Sequence, residues 1–144
     1  MARVRDILQR KGTQILSIGP EATVLQAALH MTEHKVGALV VLDQGQLVGV
    51  ISERDLMQRV VAQERDPART TVGEVMTGEV ICCSPETTLE EARGAMRNRR
   101  IRHLPVVVEN ELLGVVSIGD LNAYLTADQE QTIFLLSEYL YGRT

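Results

Sequence analysis

The chain is written twice, and this repetition limits its fold more than any other feature. Gly49-Val50-Ile51-Ser52-Glu53-Arg54-Asp55-Leu56 returns 65 residues later as Gly114-Val115-Val116-Ser117-Ile118-Gly119-Asp120-Leu121. The same step relates Pro20-Glu21 to Pro85-Glu86, Thr23 to Thr88, Ala27 to Ala92, Met31 to Met96 and Leu39 to Leu104. Upstream, Val4-Arg5-Asp6-Ile7-Leu8 resembles Val72-Gly73-Glu74-Val75-Met76 at a step of 68. The first copy therefore carries three extra residues in a loop near Lys11-Gly12-Thr13.

Each copy predicts the same elements. A short strand holds Ile15 to Ile18, or Val80 to Cys83, and a Pro-Glu turn follows. Thr23 with Gln26, and Thr88 with Glu91, have the spacing of a capping box, which satisfies orphan donors at a helix start. Val24, Ala27, Ala28 and Met31 recur at helical spacing, as do Leu89, Ala92 and Met96. Two valine-rich strands come next, Gly37 to Leu42 with Leu47 to Ile51, then Leu104 to Val108 with Leu112 to Val116. A second helix begins at Ser52 or Ser117. The fold class is α/β: two tandem β-α-β-β-α repeats packed around one core. The repeats span residues 3–66 and 67–127, joined by Asp66-Pro67-Ala68-Arg69. Residues 128–144 form a tail, with Ile133, Leu136 and Leu140 predicting a C-terminal helix. Tyr124, Phe134, Tyr139 and Tyr141 are all of the aromatic residues. They suit a surface on a second subunit as well as they suit docking on the module itself.

Composition narrows the function. With 144 residues, 44% apolar and 24% charged, the chain can bury a core as one module. No apolar run approaches the roughly 18 residues of a membrane span, and Met1 to Arg10 lacks a signal core. A cytoplasmic location is expected, with no membrane partner. Cys82 and Cys83 are adjacent, which does not suit an ordinary disulfide. They read as small buried strand residues, and no Cys/His set predicts a metal site. The net charge of −4 gives no global attraction to nucleic acid.

At this point the chain resembles a known family. The β-α-β-β-α repeat ending in Gly-x-x-Ser-x-x-Asp, present twice, resembles the CBS domain pair, or Bateman module. Val36-Gly37-Ala38-Leu39-Val40-Val41, Ile51-Ser52-Glu53-Arg54-Asp55, Arg102-His103-Leu104-Pro105-Val106 and Tyr139-Leu140-Tyr141-Gly142 resemble stand-alone bacterial members. The resemblance implies a pseudo-twofold module with two clefts between the repeats. It also implies an adenosyl ligand such as AMP, ATP or NAD, dimerisation and no catalytic activity.

A nucleotide needs a carboxylate for its ribose diol and cations or free N–H groups for its phosphate. Asp55 and Asp120 are the candidate ribose carboxylates, and Ser52 and Ser117 open the following helices. Ser-x-x-Asp is also a helix-capping pattern, and one Ser can serve both roles. Arg97-Asn98-Arg99-Arg100-Ile101-Arg102-His103 concentrates cations in an acidic chain. Arg97, Arg99 and Arg100 fit the end of a helix. The resemblance assigns Arg102 and His103 to phosphate. It joins Ser52 and Asp55 to Arg102 and His103 across one cleft, with Val80 and Ile81 near the base. Arg54 is free to reach a phosphate or a neighbouring subunit. The other cleft joins Ser117 and Asp120 to Gly37 and Ala38, with Thr13 and Ile15 near the base. It has no phosphate partner unless Lys35 or His34 swings in, so one strong and one weak or empty site are expected.

The function expected is a regulatory module that senses an adenosine nucleotide and passes the change to a second copy or an unknown protein effector. Alternatives are a structural or interaction module with empty clefts, or nucleic-acid binding through the arginine cluster. Against the latter stand the net charge and the absence of aromatic residues near the cluster. An enzyme is not expected. His30 and His34 lie four apart on a helix, but Glu33 is wrongly placed for a His-Glu-x-x-His site.

Overall fold

A computed structural model of the chain describes residues 1–12 and 14–126. The predicted position of Thr13 and the predicted C-terminal helix lie outside the described residues. In chain order the elements are α1 (Val4–Lys11), β1 (Ser17–Ile18), α2 (Val24–His34), β2 (Ala38–Asp43), β3 (Gln46–Ser52) and α3 (Glu53–Leu56). A π-helical turn at Met57–Val61 prolongs α3. Then come α4 (Val72–Val75), α5 (Leu89–Arg99), β4 (His103–Val108), β5 (Glu111–Ser117) and α6 (residues 118–126).

The repeated sequence gives repeated local structure. Thr23 accepts a hydrogen bond from the Gln26 N–H, and Gln26 accepts one from the Thr23 N–H. Thr88 and Glu91 do the same 65 residues on. Both α2 and α5 end on a left-handed residue, Lys35 and Arg100. The hairpins agree in register: Ala38 pairs with Ser52, and His103 with Ser117. A bulge follows Val41 in one and Val106 in the other.

Three expectations need correction. The first strand of each repeat is shorter than predicted. In the first it is Ser17–Ile18, parallel to β2, and in the second only Cys83 bridges to Val106. Pairing is limited to the residues that reach the hairpin edge, and Val80 and Ile81 are left to line a cleft. The cysteines are not buried: Cys82 is exposed and Cys83 half-buried. The core is also not single. One cluster includes Val24, Ala27, Met31, Leu39, Val41, Ile51, Val72 and Val75, and the other Val4, Ile7, Leu8, Leu89, Ala92, Leu104, Val116 and Leu121.

The membership of those clusters shows how the repeats are joined. Helix α1 completes the second core, and α4 completes the first. The backbone makes the same exchange. Val4 N–H donates to Thr87 O and Arg5 N–H to Pro85 O, while Val72 N–H donates to Ala22 O and Gly73 N–H to Pro20 O. The leading helices therefore cross over and tie the two repeats together. A cleft lined by residues of both repeats forms along the seam between them.

Candidate functional site

The Gly-x-x-Ser-x-x-Asp segment places its serine at the end of a strand and its aspartate in the first turn of the next helix. In the first repeat Ser52 caps α3, its Oγ accepting from the Asp55 N–H at 3.3 Å. Asp55 Oδ2 accepts from the Ser52 N–H at 2.9 Å. The capping role is therefore real, and it uses one carboxylate oxygen. The other, Oδ1, accepts from the Thr77 hydroxyl at 3.1 Å and lies 3.7 Å from Arg59 Nη1. Asp55 is buried, yet it lines a cavity. Arg59 is itself fixed by donating to the carbonyls of Val75 and Met76.

That cavity has a volume of about 620 Å³, within the range of small-molecule sites. Ser52, Arg54, Asp55, Val80, Ile81, Arg102 and His103 all line it, so the structure brings together every residue assigned to the first cleft. Gly37, assigned to the other cleft, lines it too. Arg54 is exposed, and its Nη1 donates to Arg100 O at 2.7 Å, which ties the two repeats together. Arg102 is exposed and His103 half-buried. Burial holds the His103 imidazole below its usual pKa, with Lys11 and Arg102 acting in the same direction and Glu53 and Asp120 opposing. Thr77, Arg59 and Arg99 also line the cavity and were missed. Thr77 sits in a stretch where the repeats differ in length, so no equivalent position pointed to it.

The second set behaves differently. Ser117 caps the next helix, and its N–H donates to Asp120 Oδ2 at 2.8 Å. Neither Lys35 nor His34, the residues considered as phosphate partners for this cleft, meets the aspartate. His34 Nδ1 lies 3.0 Å from His30 O, in its own helix, and Lys35 forms the C-cap of α2. Lys11 meets it instead, with Nζ 2.7 Å from Asp120 Oδ2 and 2.8 Å from Val115 O. In the first cleft Thr77 serves the equivalent acceptors, through its N–H to Val50 O and its hydroxyl to Asp55. One ammonium thus replaces two donors. Burial alone would raise the Asp120 pKa, but the hydrogen bonds from Lys11 and Ser117 outweigh it and hold the carboxyl low. Ala38 pairs with Ser52 at the base of the first hairpin, and Ile15 is half-buried ahead of β1. The Glu53 carboxylate stands against Gly37, leaving only 3.1 Å to the place of a β-carbon.

His30, Glu33 and His34 have ligand atoms within 4.8 Å of one another on the outer face of α2. None of the described helices is long and apolar enough to cross a membrane.

Comparison with known proteins agrees with this geometry. The CBS domain profile matches residues 4–62 and 72–127. The CBS domain-containing protein YhcV of Bacillus subtilis is 40% identical over 121 residues, 84% of each chain. A putative signal-transduction protein with CBS domains from Burkholderia ambifaria superposes with a TM-score of 0.86 at 37% identity, covering 89% of this chain and 96% of that one. The CBS domain pair of protein MJ0100, in complex with 5′-methylthioadenosine and S-adenosyl-L-methionine, has a TM-score of 0.79 at 24% identity, covering 89% and 98%.

Proposed function

The chain belongs to the CBS domain family as a tandem pair, and on that premise we propose that it is a regulatory module binding one adenosine nucleotide, AMP, ATP or NAD, between its repeats. The observation that carries this reading is the single cavity joining Ser52 and Asp55 of one repeat to Arg102 and His103 of the other. Asp55 is the proposed ribose acceptor, Val80 and Ile81 flank the base, and Arg102 and His103 meet the first phosphate. An occupant bridges both hairpins and so favours one relative orientation of the repeats. That is how a ligand shifts a conformational population, and no catalytic step is involved.

The second cleft is proposed as weak or empty. Lys11 already takes the Asp120 carboxylate, and Glu53 at Gly37 opposes a phosphate. The adenosyl ligands of MJ0100 show that the fold accommodates this class in that protein. The output is proposed to pass to a second copy or to an effector protein in the cytoplasm. Leu25 and Leu29 on α2, with Met57 and Val61 beyond α3, expose the apolar surface a homodimer would cover. Sedimentation equilibrium checks this, and a monomer at micromolar concentration would exclude it.

The nucleotide reading is tested by calorimetric titration with AMP, ATP and NAD against the parent, Asp55→Ala and Asp55→Asn. Asn keeps an acceptor for the Ser52 N–H, so it separates capping from charge. One adenosine nucleotide should bind the parent with one site per chain. Both variants should weaken it by about tenfold or more, equal to about 1.4 kcal/mol. If none of the three binds, the sensing function is wrong.

A further inference from the structure

A groove of about 620 Å³ adjoins the cleft and has a different charge. Arg54, Arg93, Arg97, Arg100 and Arg102 line it, and among the described residues no acidic one does. Three of these, Arg54, Arg100 and Arg102, also line the cleft, so the two spaces share a wall. The cleft itself is mixed, with Glu53, Asp55 and Glu79 among its cations.

The helix dipole accounts for a cation in the last turn of α5, where Arg97 and Arg99 lie. It does not account for Arg93, in mid-helix, or for Arg54, which comes from the other repeat. Arg93, Arg97 and Arg100 follow one another at four- and three-residue steps, and so share one face. Like charges at that spacing repel each other on a helix. Among the described residues none of these five arginines takes part in a salt bridge. Arg54 is held across the seam by Arg100 O, while Arg93 reaches Asn122 Oδ1 only at 3.4 Å. Planar guanidinium groups converging without carboxylates suit phosphate oxygens, which they bind in bidentate fashion.

We propose that this groove is an anion subsite for the outer phosphates of the nucleotide, so that the ligand class is a nucleoside with an extended phosphate chain rather than a monophosphate. The inference rests on the cleft being the nucleotide site. The ribose and first phosphate lie in the cleft, and the chain leaves it past Arg102 and Arg100 towards Arg97 and Arg93.

The test is calorimetric titration at fixed low salt, without added magnesium, using AMP, ADP, ATP and inorganic tripolyphosphate. The proteins are the parent, the double variant Arg93→Ala/Arg97→Ala and the charge-retaining Arg93→Lys/Arg97→Lys. Affinity should rise at least tenfold from AMP to ATP in the parent. The alanine double variant should lose that gain while binding AMP within twofold of the parent, and the lysine variant should keep most of it. An ATP affinity equal to that for AMP, or an ATP/AMP ratio unchanged by the alanine variant, overturns the subsite and leaves the cleft reading intact. If no nucleotide binds but tripolyphosphate does, and the alanine variant abolishes it, the groove is an anion site but the nucleotide reading falls, and with it the groove's role for a nucleotide's outer phosphates. If neither binds, both fall. A single-stranded oligonucleotide that binds more tightly than ATP through the same two arginines would overturn the proposal in favour of a nucleic-acid surface.

Discussion

Asp55 and Asp120 hold equivalent sequence positions and have different neighbours in space. A hydroxyl reaches Asp55, and an ammonium reaches Asp120. Lys11→Met removes that ammonium and leaves the cap from Ser117. The ion pair is partly solvated, so the loss of stability should be small, about 0.2–1 kcal/mol. The Asp120 carboxyl is held below its usual pKa, so its contribution is present above the ordinary carboxylate range and lost as pH falls through the lowered value. Urea melts of parent and variant should therefore differ at pH 7 and converge in acid; a gap that persists in acid would show that the ion pair is not its source. His103 has the opposite sign. Its pKa is lowered in the folded chain, so the unfolded state takes up its proton first and stability falls as pH drops through the usual histidine range. A bound phosphate favours the imidazolium, so nucleotide affinity should rise over the same interval. Titrations at pH 5.5 and 8 check this, and His103→Gln should flatten the profile. The identity of these residues was legible in the sequence. The partner of Asp120 was not, because Lys11 lies at the length difference between the repeats and meets Asp120 only through the fold.

The elements follow the sequence where the signal is local. Both capping boxes and both hairpins were legible because capping and turn chemistry act over a few residues. Helices α1 and α4 were not assigned, since their apolar residues read as a resemblance and not as a face. Gly49 and Gly114 of the repeated motif are explained only by those helices. A β-carbon at Gly49 would stand 2.6 Å from Met76 Sδ and 2.9 Å from Thr77 O. At Gly114 it would meet only the end of the Leu8 side chain, at 3.0 Å. Gly49→Ala should therefore destabilise by about 1–3 kcal/mol, the usual cost of overpacking. Gly114→Ala should cost less, because a side-chain tip yields where a backbone carbonyl does not. Equal melting temperatures for the two variants would contradict this. The cysteines lie in a segment whose pairing reduces to one bridge. Burial, with Cys82 adding to it, pushes the Cys83 thiol up to about 12, so it stays protonated at neutral pH.

At the scale of the molecule, the units of sequence are not the units of packing. Residues 1–66 contain a whole repeat but lack Val72 and Val75, which close its core. Residues 14–77 cut across the repeats but hold that core complete. The second fragment should show a cooperative thermal transition and the first should not; the reverse would mean that the exchanged helices are dispensable. The intact chain should unfold in one transition, since each core depends on a helix from the other half. The sequence by itself determined the duplication, the α/β class, the caps, the two hairpins and the residue types of the cleft. All of these depend on contacts within a few positions or on a pattern repeated along the chain. Only the tertiary structure decided that the leading helices cross over, that Arg54 ties the repeats together, that Lys11 meets Asp120, and that five arginines from two repeats share one groove. Those outcomes depend on which distant side chains packing brings within hydrogen-bonding reach, and a one-dimensional pattern does not encode that distance.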